Sequence, residues 1–142
     1  MKKQVYLAGA LSCYEPGDDY PYKWRIKAKD LLGEDFKVFD PSGYYTENAT
    51  SDYEREIMKY ELRMTKKSEV VLVNLKDLNK SVGTNDEILY AYLNNIPVVG
   101  FLENENELSK IHPWKRCEQI DRIYYGKYGL ENAVEYIKEF YD

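Results

Sequence analysis

VVLVNLKDLNKSVGTNDEILYAYLNNIPVVGFL, residues 70–102, is the stretch whose reading decides the fold. It opens with the apolar run Val70–Leu75, which carries no charge and is bounded by polar residues. That is the pattern of a strand covered on both faces of a parallel sheet. A small-residue turn follows, and Asn85–Asn94 then reads as a short helix ended by Asn95 and Pro97. Pro97–Leu102 is a second apolar run of strand length. Strand, helix and strand in this order make a βαβ unit, whose crossover is right-handed.

Working outward, Val5–Leu11 and Phe36–Phe39 are two further strands, and Ile120–Tyr125 is a weaker fifth. Lys23–Leu32 places Trp24, Lys27 or Ala28, and Leu31 on one side of a helix that ends at Gly33. Ser51 or Asp52 is a candidate cap for a helix running to about Lys66. Leu130, Ala133, Val134, Ile137 and Tyr141 follow three-and-four spacing, the mark of an amphipathic C-terminal helix. The alternation predicts a single α/β domain over residues 1–142. Its architecture is a three-layer sandwich with a mostly parallel, five-stranded, flavodoxin- or Rossmann-like sheet. Two irregular segments, Gly43–Ser51 and Glu103–Lys115, are expected to cover a pocket.

Composition narrows the function. The chain has 142 residues, 44% hydrophobic, and a net charge of −5. That charge offers no general attraction to phosphate backbones, so a nucleic-acid polymer is not an expected partner. Two cysteines, Cys13 and Cys117, and one histidine make no metal-binding spacing. No metal and no organic cofactor are expected. The N-terminal apolar run is too short for a signal or membrane span, so a cytoplasmic protein with reduced thiols is expected. The 15 tyrosines read mainly as amphipathic surface and rim residues.

Ligands of open α/β sheets bind beyond the carboxyl ends of the strands. That rule selects the loops 8–22, 40–50 and 76–86. In the third, Ser81, Gly83 and Thr84 offer hydroxyls and free amides at a helix start, suited to an anion or a sugar hydroxyl. Read locally, Thr84 or Asn85 is a plain cap and Glu87 an ordinary first-turn acid. Glu61 adds weight to a site, because it shares a helical stripe with Ile57 and Met64 and so faces inward. The alternative for Glu61 is an ion pair with Arg63 or Lys66. Two carboxylates reaching one pocket suit glycosidic chemistry, in which one attacks and the other handles protons. Tyr6 alternates inward on the first strand, either as plain core or with its hydroxyl at the strand ends.

Taken together, these pieces resemble the nucleoside 2-deoxyribosyltransferase family, which also contains deoxynucleoside 5′-monophosphate N-glycosidases. The resemblance covers nearly the whole chain. It is carried by Val5–Ala10, Ser68–Asn74, Ser81–Thr84 with Glu87, Ile88 and Ala91, Pro97–Phe101, and His112-Pro113-Trp114. It implies that Glu87 attacks C1′ of a 2-deoxyribose and forms a covalent glycosyl-enzyme, with net retention. Tyr6 would hold Glu87 through a hydrogen bond, and Glu61 would stand where relatives carry an aspartate that handles the base and its proton. Ala8, Gly9 and Asp40 would border the base, and Ser81 and Gly83 the sugar or phosphate. His112 and Trp114 would lie near a neighbouring subunit's site, in a homodimer or larger assembly with shared sites. The implied partners are a deoxynucleoside or deoxynucleotide and a free nucleobase, with no membrane.

Three positions depart from the family pattern. Glu61 is one methylene longer than aspartate, and Asp86 stands beside the nucleophile in place of an apolar residue. Ser81 replaces an aspartate common among transferases and matches the monophosphate glycosidases, since a hydroxyl donates to phosphate where a carboxylate repels it. Hydrolysis of monophosphates is therefore the competing activity. A nucleotide-binding or sensing module without chemistry is the competing class.

Overall fold

The computed structural model describes residues 1–44 and 51–142. Five strands, β1 (Lys3–Gly9), β2 (Phe36–Phe39), β3 (Val70–Asn74), β4 (Val98–Leu102) and β5 (Arg122–Tyr125), form one sheet in the order β2-β1-β3-β4-β5. Every pairing is parallel. Helices α1 (Tyr20–Leu32) and α4 (Gly129–Tyr141) cover one face, and α2 (Ser51–Lys66) and α3 (Val82–Leu93) cover the other. The expected α/β sandwich is present, with the flavodoxin-type strand order. Its topological switch lies between β1 and β3, where a ligand crevice belongs.

The alternation along β1 sorts the two cores. Val5 and Leu7 point toward α1 and α4 and join Trp24, Ala28, Val134 and Ile137. Tyr6 and Ala8 point the other way, with Val71, Val73, Ile88 and Ala91. All of β3 and β4 is buried, as strands covered on both faces must be.

Several element edges differ from expectation. β1 stops at Gly9, two residues before the predicted end, and α1 starts at Tyr20 with Pro21 in its first turn. Proline is tolerated there because its missing N–H has no intrahelical partner to lose. Lys27 is exposed and pairs with Glu131, whereas Trp24, Arg25, Ala28 and Leu32 form the buried stripe. α3 begins at Val82, three residues early, because Ser81 is its cap: the Ser81 side chain accepts from the Thr84 amide. Thr84 and Asn85 are therefore helical residues and not caps.

The 103–115 segment is built of turns. It forms a 3₁₀ stretch (Glu105–Lys110) before a wide turn of π-helix at Trp114–Gln119. The expected side-chain cap at Ser51 or Asp52, and residues 45–50 of the expected pocket cover, lie outside the described residues. Among the described residues, no helix is long and apolar enough to cross a membrane.

Candidate functional site

Beyond the carboxyl ends of β1 and β2, and between α2 and α3, lies a cleft of about 350 Å³. Its described lining includes Gly9, Pro41, Glu61, Ser81, Gly83 and Glu87, and an adjoining hollow of about 320 Å³ shares both glutamates. The two cavities form a continuous depression over one pair of carboxylates. A smaller depression elsewhere, beside Leu78 and Lys110, touches none of these acids.

Glu87 reaches the cleft floor because α3 starts at Val82. Its side chain is one turn and a half into the helix, on the face that also buries Thr84, Ile88 and Ala91. Only 6% of Glu87 is exposed. The Tyr6 hydroxyl donates to Glu87 Oε2 from beneath. Tyr6 is itself fully buried and stacked on Phe39, with ring centroids 5.3 Å apart, so its hydroxyl has one direction to point. This joins a strand residue and a helix residue 81 positions apart.

Burial raises the Glu87 carboxyl to about 8; the Tyr6 hydrogen bond and the Arg25 charge pull it down, while Glu61 and Asp86 push it up. Glu61 rises to about 7, first through burial, with Glu54 adding a like charge and Arg25 opposing both. Among the described residues Glu61 makes no ion pair with Arg63 or Lys66. Two raised carboxyls that line one cavity titrate as a coupled pair, an arrangement in which one can carry a proton while the other is ionised. Burial and the two glutamates keep the Tyr6 phenol protonated, so toward Glu87 it acts as a donor.

The other expected site residues divide into two groups. Gly9, Ser81 and Gly83 line the cleft. Ala8 is fully buried in β1 behind it. Gly9 is required by packing as well, since a Cβ there would stand 2.8 Å from the Trp24 ring. Asp40 does not line the cleft: its carboxylate meets Arg25 at 3.1 Å and Lys29 at 2.9 Å, and accepts from the Ser42 amide. Burial works against its charge, but Lys29, Ser42 and Arg25 outweigh that and hold it below the usual carboxylate range. A residue expected to touch the base is thus a counterion.

His112 and Trp114 also stay outside. Both are exposed, Trp114 at 71%, and their rings meet each other edge to face at 5.8 Å. Lys115 ties this segment to α3 by donating to the Asn85 carbonyl. The 103–115 segment therefore leaves the glutamate cleft of its own chain uncovered. Asp86 is exposed at the rim of the adjoining hollow.

Arg25, Glu54 and Lys80 were not singled out from sequence. Glu54 lies two turns before Glu61 on the same face of α2, and Lys80 precedes the α3 cap. Arg25 interrupts the apolar stripe Pro21, Trp24, Ala28, Leu32, and that interruption was the available signal.

No protein-family model matches the chain, and no curated protein sequence matches it. Solved structures do. A 2-deoxyribosyltransferase from Bacillus psychrosaccharolyticus superposes with a TM-score of 0.69 at 17% identity, over 94% of this chain and 91% of its own. A 2-desoxiribosyltransferase from Leishmania mexicana gives 0.61 at 18% identity, over 99% of both chains. The chain shares the 2-deoxyribosyltransferase fold. A conserved protein from Enterococcus faecalis V583 also has this fold, with a TM-score of 0.64 at 19% identity over 98% of this chain and 99% of its own. The likeness extends over nearly the whole of each chain and is a likeness of fold.

Proposed function

We propose that the protein transfers 2-deoxyribose between nucleobases, with Glu87 as nucleophile and Glu61 as the acid and base. The observation that carries this reading is the buried Tyr6–Glu87 hydrogen bond beneath a cleft that Glu61 also lines. A mere first-turn acid would face solvent; this one is desolvated, oriented and open to a cavity on one side only.

The chemistry follows from charge. As the bond from C1′ to the base nitrogen breaks, its electron pair leaves with the base and positive charge builds on the sugar. The Glu87 carboxylate stabilises that charge and then bonds to C1′. The productive arrangement of the singly protonated pair has the proton on Glu61, a minority form because Glu87 has the higher value. Glu61 gives that proton to the departing nitrogen. An incoming base next attacks C1′, releases the Glu87 oxygen and returns a proton to Glu61. Two displacements at one carbon give net retention. The sugar lacks a 2′-hydroxyl, which eases departure by removing an electron-withdrawing group. Tyr6, as a permanent donor, fixes which Glu87 oxygen stays free to attack.

Base exchange tests the reading. The protein, a deoxynucleoside and a second free base should yield a new deoxynucleoside, and intact mass should show a dehydrated deoxyribose adduct absent from Glu87→Ala. Free deoxyribose as the sole product would assign hydrolysis instead. Ligand binding with neither product nor adduct would assign a sensing module.

Lys80 favours a second reading, hydrolysis of 5′-monophosphates. It lines the cleft together with Ser81, Gly83 and Thr84 at the start of α3, a setting that suits a phosphate. Against it stand Glu54, Glu61 and Glu87 in the same lining, which favour an uncharged nucleoside. Parallel turnover of a deoxynucleoside and its 5′-monophosphate, with wild type and Lys80→Ala, separates the two.

A further inference from the structure

We propose that Arg25 is a positioning residue whose buried guanidinium clamps the floor of the cleft and sets the charge balance of the Glu61–Glu87 pair. The side chain is fully buried. Its Nε donates to the Pro21 carbonyl, Nη1 to the Leu7 carbonyl and to Asp40, and Nη2 to the Gly9 carbonyl. The Leu7 and Gly9 carbonyls belong to the carboxyl end of β1, the edge from which Tyr6 and Gly9 reach the site. One planar fork thus fastens α1, the end of β1 and the residue after β2 into a single unit, which a lysine could not reproduce.

The charge has a second consequence. A buried cation normally costs stability unless it is paired, and Asp40 is the pair, itself shared with Lys29. Yet Arg25 also acts on both glutamates, opposing the rise of each carboxyl. The groups facing these carboxyls are Tyr6 from β1, Arg25 from α1, Glu54 and Arg55 from α2, Lys80 from the turn before α3 and Asp86 from α3. Glu54 and Asp86 disfavour ionisation through like charge and Tyr6 donates a hydrogen bond; Lys80 and Arg55 line the open cavities, whereas Arg25 is a cation held in the protein interior. Without it, both carboxyls would hold their protons further into the neutral range, and the pair would lose its ionised member.

The inference deepens the deoxyribosyl-transfer reading and rests on Glu61 and Glu87 working as a pair, but its test does not need turnover. Carbon-13 carboxyl shifts of Glu61 and Glu87, assigned with Glu61→Gln and Glu87→Gln, are titrated in wild type, Asp40→Asn, Arg25→Gln/Asp40→Asn and Arg25→Lys. The Asp40→Asn background leaves no orphaned carboxylate when Arg25 is removed. There, Arg25→Gln should raise both midpoints by about one pH unit, the usual effect of losing a nearby opposite charge. Arg25→Lys keeps the charge and loses the fork, so its midpoints stay near wild type while any base exchange slows. Unchanged midpoints in the folded double variant overturn the proposal. Should that variant not fold, Arg25→Lys decides, and midpoints displaced well above wild type overturn it. If the midpoints move as expected but wild type exchanges no base, the deoxyribosyl-transfer reading fails and the role of Arg25 stands.

Discussion

The two faces of the sheet spend burial differently. Toward α1 and α4, Val5, Leu7, Leu72, Val99 and Phe101 meet an aliphatic and aromatic core, each fully buried and without a polar atom in its side chain. Toward α2 and α3, the same strands present Tyr6 to a buried Glu87, with Glu61 close enough to raise it. Neighbouring residues of one strand, Tyr6 and Leu7, therefore serve opposite ends. The first face provides stability, and the second gives some of it up to hold a carboxyl where water would normally be.

Glu87→Gln is the substitution that would break this contrast most sharply. Loss of the nucleophile should cut base exchange by about 1,000-fold or more, measured as turnover per folded molecule. Stability should move the other way. The folded carboxyl pKa is about 8 against an ordinary 4.5. Between those values the folded protein keeps a proton that the unfolded chain has released, so wild-type stability falls as pH rises through that window. Glutamine removes the penalty while still accepting from Tyr6. The melting temperature of the variant should match wild type near about pH 4 and exceed it increasingly up to about pH 8. A variant less stable at every pH would mean that Glu87 holds the fold together.

The dry face answers to Leu7→Ala. A fully buried leucine truncated to alanine leaves a cavity and costs about 2–5 kcal/mol, read from denaturant unfolding. Turnover per folded molecule should change little, because the Leu7 side chain points away from the cleft. A selective loss of activity would show that the two faces are not separable.

The sheet was legible because its strands are apolar runs punctuated by turns, and the 70–102 stretch alone dictates a βαβ unit. Glu87 read locally as an ordinary first-turn acid and was singled out by the family resemblance; the buried face it shares with Ile88 and Ala91 is what the structure adds. The start of α3 was not legible, because Val82 and Gly83 are weak helix formers and look like a continued turn. The ion pair of Asp40 was not legible either. Asp40 stands at a strand end, where ligand contacts occur, while its true partner, Arg25, lies 15 residues earlier on a helix. The trace that this clamp leaves in the sequence is one charged residue within the buried stripe of α1. The exposed His112 and Trp114 belong to a segment whose path depends on packing against α3, which local pattern does not encode.

Tyr6→Phe sharpens the comparison at one strand position. The ring and its stacking on Phe39 remain, while the donor to Glu87 disappears. Losing an oriented donor to a reacting carboxylate should slow exchange by about 100-fold. It should also move the alkaline limb of the pH–rate profile upward, since that hydrogen bond holds down the Glu87 carboxyl, the higher of the two. Wild type should show a bell, falling below about pH 7 as both carboxyls protonate and above about pH 8 as both ionise. A fall in rate with no displacement of the limb would assign Tyr6 to packing alone.

The smallest expected effect lies at the cap of α3, where stability and substrate choice separate cleanly. Ser81→Ala loses the bond to the Thr84 amide and should cost about 1 kcal/mol in denaturant unfolding. Ser81→Asp keeps a capping oxygen of equal quality and adds a negative charge suited to a helix start, so it should unfold like wild type. Its effect on turnover then reads the ligand and not the fold. A deoxynucleoside should be processed about as before, while a 5′-monophosphate should be repelled wherever its phosphate sits at this helix start. Equal turnover of both substrates by Ser81→Asp would place any phosphate away from Ser81, and would leave the residue as a cap on the helix that carries Glu87.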